Sequence, residues 1–313
     1  MSWNKKPEPK PFGIPLDEVE LLLGGTNLKP TRDGDSLVVQ HEKFTTRITV
    51  LPPPPQEAEE HKIRAVVQIK TTMPPEGASV FGSIGGCAMA NSFATLGSLI
   101  VDGRENYIGS RLTIYQQDNA WPLHLNLIVS ATIASAETIV GAVRREFGQE
   151  PHRGGICRWA AADFENIERM LAQVSVCTGG GLGVTAEFGL RRGAVAAVAG
   201  HEGTALWQMI GDQPHPEYGG GIFCLLQLPH QIPDEAQLHQ ILNRLNVLEM
   251  EPNNLPPHFG AWCTGRLGHN PAYISFIPNT LHRHPSIMEN LSAWAIHRAQ
   301  IADATLASMG VSS

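Results

Sequence analysis

The sequence is short of charge, short of cysteine, and without a long apolar run. Charged residues are 17% of its 313 residues, and the formal net charge is −7. Basic residues gather no more closely than pairs such as Arg144-Arg145 and Arg191-Arg192. A nucleic-acid binder carries a basic stripe or field, so no nucleic-acid partner is expected. The five cysteines, Cys87, Cys157, Cys177, Cys224 and Cys263, are scattered and form no CxxC. That pattern speaks against a disulfide framework or zinc ribbon and for reduced thiols in the cytoplasm. No uncharged stretch reaches membrane-spanning length. The opening MSWNKKPEPKPFG has no apolar core of a secretory leader. The expectation is a cytoplasmic chain with no membrane contact.

The motifs that carry chemistry are missing too. Thr178-Gly179-Gly180-Gly181-Leu182-Gly183 has the glycines of a phosphate loop, but no GK[ST] follows it. The alternation of Val184 to Phe188 makes it a strand edge or hairpin turn instead. Gly82 to Cys87 is not GxSxG and has no histidine near it in sequence, so Cys87 reads as core. Histidines cluster late, at His258, His269, His282, His284 and His297. His282 and His284 make half a metal site at most, with no HExxH. Glu57, Glu59 and Glu60 sit in a proline-rich stretch and read as solvated. No catalytic residue, cofactor or metal is assigned, and the balance leans away from an enzyme.

What the sequence does contain is the same pattern twice. Ala65 to Ala78 is echoed by Phe223 to Ala236, and Ser110 to Gln117 by Ala272 to Asn279. Each later strand precedes a long helix. One carries Leu125, Ile128, Thr132 and Ala136, the other Met288, Leu291, Ala295 and Ala299. Both series have the spacing of one helical face. The order helix, strands, helix, hairpin, helix occurs twice. It predicts an α+β chain of two tandem domains, each an antiparallel sheet with packed helices. The boundaries are a flexible arm over 1–13, a first domain over 14–147, a linker over 148–160 and a second domain over 161–313. Leu37 to Leu51 reads as strand. Pro52 to Glu60 and Gly211 to Gly221 read as loops, and Pro74 to Ala90 as one helix.

This order, with Met89 to Gly103 and then Tyr107 to Gln116, resembles the type III secretion chaperone fold and the related YbjN-like family. In that family the middle helix commonly ends at an Asn, a place taken here by Asn91 and, in the second half, by Asn246. The resemblance implies a chaperone- or adaptor-like protein-binding module. Single-unit members bury apolar surface by dimerising, so a tandem copy is expected to form a pseudo-dimer within one chain or a small homo-oligomer. This chain is twice the usual length and only mildly acidic, which departs from a secretion role. Binding by sheet edges or apolar grooves is the leading expectation. The alternatives are an enzyme with an interdomain pocket and a structural subunit of a larger assembly. Trp207 and Trp262 lie in strand-like runs with a face to offer solvent, which makes them the candidate protein-contact residues.

Overall fold

The computed structural model describes residues 13–53, 55–73, 75–92, 96–103, 105–116, 119, 121–143, 157–190, 203–215, 219–254, 256–265, 268–282 and 287–311. The expected arm falls almost wholly outside them, as does most of the expected linker.

The first half opens with helix α1 (Leu16–Gly24), which buries Val19 and Leu23. Pro15 precedes it, and Asp17 and Glu18 sit in its positive first turn. Strands β1 (Thr31–Asp33), β2 (Ser36–Gln40), β3 (Thr45–Leu51), β4 (Ile63–Thr72), β5 (Ser98–Asp102) and β6 (Glu105–Tyr115) form one antiparallel sheet, ordered β1-β2-β3-β4-β6-β5. Helices α2 (Pro55–Glu60), α3 (Pro75–Phe81) and α4 (Ile84–Asn91) lie between strands, and α5 (Trp121–Val143) closes the half. The central strand β4 alternates as its sequence predicts, with Ile63, Ala65, Val67 and Ile69 buried.

The second half repeats the order. Helix α6 (Ala161–Leu171) buries Phe164, Ile167 and Leu171, each contributing about 1.5–3 kcal/mol. Strands β7 (Val176–Gly180), β8 (Gly183–Gly189), β9 (Thr204–His215) and β10 (Gly219–Gln227) follow. Helix α7 (Glu235–Glu249) comes next, capped by Asp234, whose side chain accepts from the Gln237 amide. Strands β11 (Ala261–Thr264) and β12 (Pro271–Pro278) and helix α8 (Ile287–Ser308) complete it. The sheet order, read from its first strand, is β7-β8-β9-β10-β12-β11, antiparallel throughout. Strand order and direction match the first sheet. The chain is therefore α+β with two sheet-bearing halves, and one continuous apolar core runs through both.

Several local expectations need correction. Leu37 to Leu51 is a hairpin, because His41 to Phe44 turns the chain between β2 and β3. Proline at the start of α2 suits a helical first turn, so that stretch is a short helix rather than a loop. The helix expected over Pro74 to Ala90 breaks at Gly82-Ser83. Ser83 caps α4 by accepting from the Gly86 amide, and a Cβ at Gly82 would lie 2.4 Å from the Ala78 carbonyl. The loop expected at Gly211 to Gly221 is mostly ladder, with His215 paired to Gly219. Glycine, proline and polar residues in Gly211 to Gly221 read as a loop, and the strand carries an irregular backbone at Asp212 (φ 55). The glycine run is the expected hairpin turn, between β7 and β8, with Gly181 at φ +58.

The two halves meet through equivalent elements. α4 packs on α7, α4 on β11, α7 on β5, and β5 on β11. Such reciprocity is the mark of an isologous contact about a two-fold axis.

Candidate functional site

Asn91 ends α4 and Asn246 lies in the last turn of α7, and the two do the same job. The Asn91 amide donates to the Leu99 carbonyl (3.0 Å) and accepts from the Leu99 amide (2.6 Å). Asn246 does this for Trp262, at 2.9 and 2.8 Å. A carboxamide has one donor side and one acceptor side, which matches the free edge of a strand. It also blunts that edge against foreign strands. These anchors fix the correspondence between halves. Leu99 pairs with Ile108 and Trp262 with Tyr273. Counting along the strands matches Ser110 to Ser275 and Arg111 to Phe276, three residues from the alignment that the sequence echo suggests.

Beyond the anchors, the second half reaches into the first. Arg111 and His258 exchange backbone hydrogen bonds at 2.8 and 2.7 Å where β5 stops covering β6. The buried Arg111 guanidinium donates to the Glu249 carbonyl and to Thr113 Oγ1 (2.6 and 2.7 Å) and to the Pro256 carbonyl. Arg298 donates to both oxygens of Glu249, at 2.7 and 3.3 Å, and to the Pro257 carbonyl. It lies 4.0 Å over the Tyr273 ring. The Trp262 indole donates to Glu249 Oε1 at 3.1 Å.

Ser98, His258 and Glu249 have the composition of a hydrolytic triad, and the Ser98 Oγ to His258 Nε2 distance is 2.6 Å. The rest of the geometry denies that chemistry. His258 Nδ1 is 3.8 Å from Glu249 Oε2 and only 3.2 Å from the Tyr273 hydroxyl. Burial pushes the His258 pKa down to about 3, with Glu249 opposing, so the ring is too weak a base at neutral pH. Ser98 and His258 are both fully buried. Burial raises Glu249, but the charge and hydrogen bonds of Arg298, with His258 and Arg111, together outweigh it and hold the carboxyl below its ordinary value. Burial lowers Arg111 to about 10, still protonated at neutral pH. This is a satisfied polar joint between halves.

Next to this joint lies a cavity of about 350 Å³. Its lining has Leu112, Thr113 and Tyr115 of β6 with His124, Leu127 and Ile128 of α5. Against these stand Phe276 and Ile277 of β12, Leu281, and Ile287, Asn290, Leu291 and Trp294 of α8, with Pro257 and Phe259 beside the joint. The walls are matched. Leu112 corresponds to Ile277 by strand register, and the shared helical spacing matches His124 to Ile287, Leu127 to Asn290 and Ile128 to Leu291. The cavity is therefore a product of the repeat. None of these lining residues is an acid, a lysine, an arginine or a cysteine.

The residues singled out in the sequence do not converge. Trp207 is 2% exposed and donates from its indole to Ser292 (3.1 Å). Trp262 is 1% exposed. Trp207 points to the buried face of β9, whose other face is half-buried. Trp262 lies on β11, which α7 and, from the other half, α4 cover. Neither indole is the exposed contact expected of it. Cys87 is core as expected, donating to the Phe81 carbonyl, with burial pushing its thiol up to about 12. His282 sits edge-on to Trp159, His269 is exposed and His258 is in the joint. His284 lies outside the described residues. Among the described residues no group of histidine, cysteine or carboxylate side chains could hold a metal ion. No described helix is long and apolar enough to cross a membrane. The sequence reading missed Arg111, Glu249 and Arg298. An arginine amid the β-branched and aliphatic residues of β6 was the signal.

No family model and no curated protein matches this chain. A solved structure, DynU16 from the dynemicin biosynthetic locus, aligns with 93% of this chain and 92% of that chain. Its identity is 10% and its TM-score 0.12, too slight a likeness to carry an argument.

Proposed function

We propose that the chain is a non-enzymatic binding protein whose site is the apolar cavity between its halves. The observation that carries this is the cavity itself, walled by matched residues of both halves and lined without an acid, lysine, arginine or cysteine. Concave, mostly apolar pockets of a few hundred cubic ångströms with a few polar groups are where small or side-chain-sized partners bind. The test is a ligand-observed NMR screen of apolar fragments against the full chain and Leu127→Trp, a substitution at a half-buried wall position. Fragments that bind the parent and not the variant support the reading. Fragments that bind both equally contradict it.

A second reading is a chaperone- or adaptor-like protein binder that adds a partner strand, and β7 favours it. The β5 and β11 edges are blunted by asparagines, and β1 by the ion pairs of Arg32 with Asp17 and Glu20 and of Asp33 with Arg47. β7 carries no charge, exposes Val176, Thr178, Gly179 and Gly180, and pairs among the described strands with β8 alone. Such an edge accepts a strand. Val176→Lys should then abolish retention of the partner while Leu127→Trp leaves it intact. The reverse pattern contradicts this reading.

A further inference from the structure

We infer that the cavity selects a small neutral molecule, mostly hydrocarbon and ring-bearing, with one oxygen-bearing head. This rests on the cavity being the binding site. Size sets the first limit. About 350 Å³ is roughly a dozen water volumes at ~30 Å³ each, which suits an occupant of on the order of ten to fifteen non-hydrogen atoms. A nucleotide or an extended peptide would protrude from it.

Charge sets the second limit. The lining is Leu, Ile, Pro and aromatic residues, with Thr113, His124, Tyr115 and Asn290 as its polar members. An ion entering it would lose water and meet no opposite formal charge from an acid, lysine or arginine. Charges do lie nearby, behind the wall, and they are engaged. Arg111 is held by two carbonyls and Thr113, and Arg298 by Glu249 and the Pro257 carbonyl. Their guanidinium groups are absent from the lining.

Shape and polarity set the third. Phe259 and Trp294 meet edge to face, with centroids 6.3 Å apart, and Tyr115 and Phe276 add aromatic wall. Rings favour ring-bearing partners through offset and edge contacts. Thr113 Oγ1 already accepts from Arg111. Its hydroxyl keeps a proton to donate and a second lone pair to accept with, and a hydroxyl-bearing occupant can use either. Asn290 stands where its counterpart Leu127 is apolar, so the second half brings a polar side chain to this wall.

The experiment is isothermal titration of the full chain with three naphthyl compounds alike in size: 1-naphthol, the 1-naphthoate anion and the 1-naphthylmethylammonium cation. The expected result is one 1-naphthol per chain, with both ions at least tenfold weaker. Leu127→Trp should weaken 1-naphthol at least tenfold, and Asn290→Leu should narrow its advantage over naphthalene. Circular dichroism should show both variants folded. An ion binding as tightly as 1-naphthol overturns this inference and leaves the binding reading standing. Failure of all three compounds overturns both.

Discussion

Asn91 holds Leu99 in the first half as Asn246 holds Trp262 in the second, and from that shared point the halves diverge. At the next position along the sheet edge, Asn243 of α7 bonds both backbone groups of Val101 across the contact, at 2.9 and 2.8 Å. The matching position on α4 is Ala88, so the second half has no such strap on Thr264. The joint is unequal as well. Arg111 of the first half is met by carbonyls and a buried charge pair, whereas its counterpart Phe276 packs with Leu96, Ala131 and Phe223. One scaffold used twice thus gives a polar, direction-fixing contact on one side and an apolar one on the other. The polar side is costly to break and specifies a geometry, and the apolar side tolerates repacking. The cavity lies between them.

Breaking the polar side should have the largest effect. Glu249→Ala leaves the Arg298 charge unpaired, with only the Pro257 carbonyl to accept from it, and the Trp262 indole without its acceptor. Removing one partner of a buried ion pair costs about 3–5 kcal/mol. Urea unfolding should report a loss of that order. Phe276→Leu, on the apolar side, should lose less than half as much. Equal losses would erase the distinction between the two sides.

The shared anchors sharpen the comparison. Asn91→Ala and Asn246→Ala each leave a buried strand amide and carbonyl unpaired, for about 2–6 kcal/mol before relaxation at 1–3 kcal/mol per group. The two losses should agree within about 1 kcal/mol. A large difference would show that the matched geometry hides unequal roles.

Acid should act through the second half's contribution to the joint. His258 titrates near pH 6.5 when unfolded, but burial depresses it to about 3 in the fold. Below pH 6.5 the unfolded chain gains a proton that the folded chain refuses. Stability is therefore full above that pH and falls as pH drops toward 3, by about 1.4 kcal/mol per unit. His215, depressed by burial to about 4, adds in the same direction. Thermal midpoints measured from pH 7.5 to 5 should fall, and His258→Gln should flatten the slope. An unchanged slope would remove His258 from the joint's acid response.

Asn243→Ala should have the smallest effect, about 1 kcal/mol, because Asn243 is half-buried and water can replace it. Hydrogen exchange should speed up at the Val101 amide and leave Trp262 unchanged. Faster exchange at both would mean that the strap serves the two halves alike.

The repeat was legible in the sequence because strand alternation and helical spacing are local. Leu125, Ile128, Thr132 and Ala136 and their partners Met288, Leu291, Ala295 and Ala299 are all buried, as that spacing requires. Asn91 was legible as a helix end, whereas α7 runs on past Asn246 to Glu249, and the strand-capping of neither was legible. The register was out of reach. It depends on which residue an asparagine holds across a gap in sequence, and the echo was three residues off. Trp207 and Trp262 misled because strand alternation shows two faces without showing what covers each. The joint and cavity were invisible for the same reason. Arg111 meets Glu249 and His258 only after the halves pack, and the cavity walls come from five separate stretches of chain.

The most direct measurement is a crystal structure of the full chain grown with 1-naphthol. The account predicts the naphthyl ring between Ile128 and Leu291, with its hydroxyl near Thr113 or Asn290. A closed, empty cavity, or the ring bound elsewhere on the chain, would contradict it.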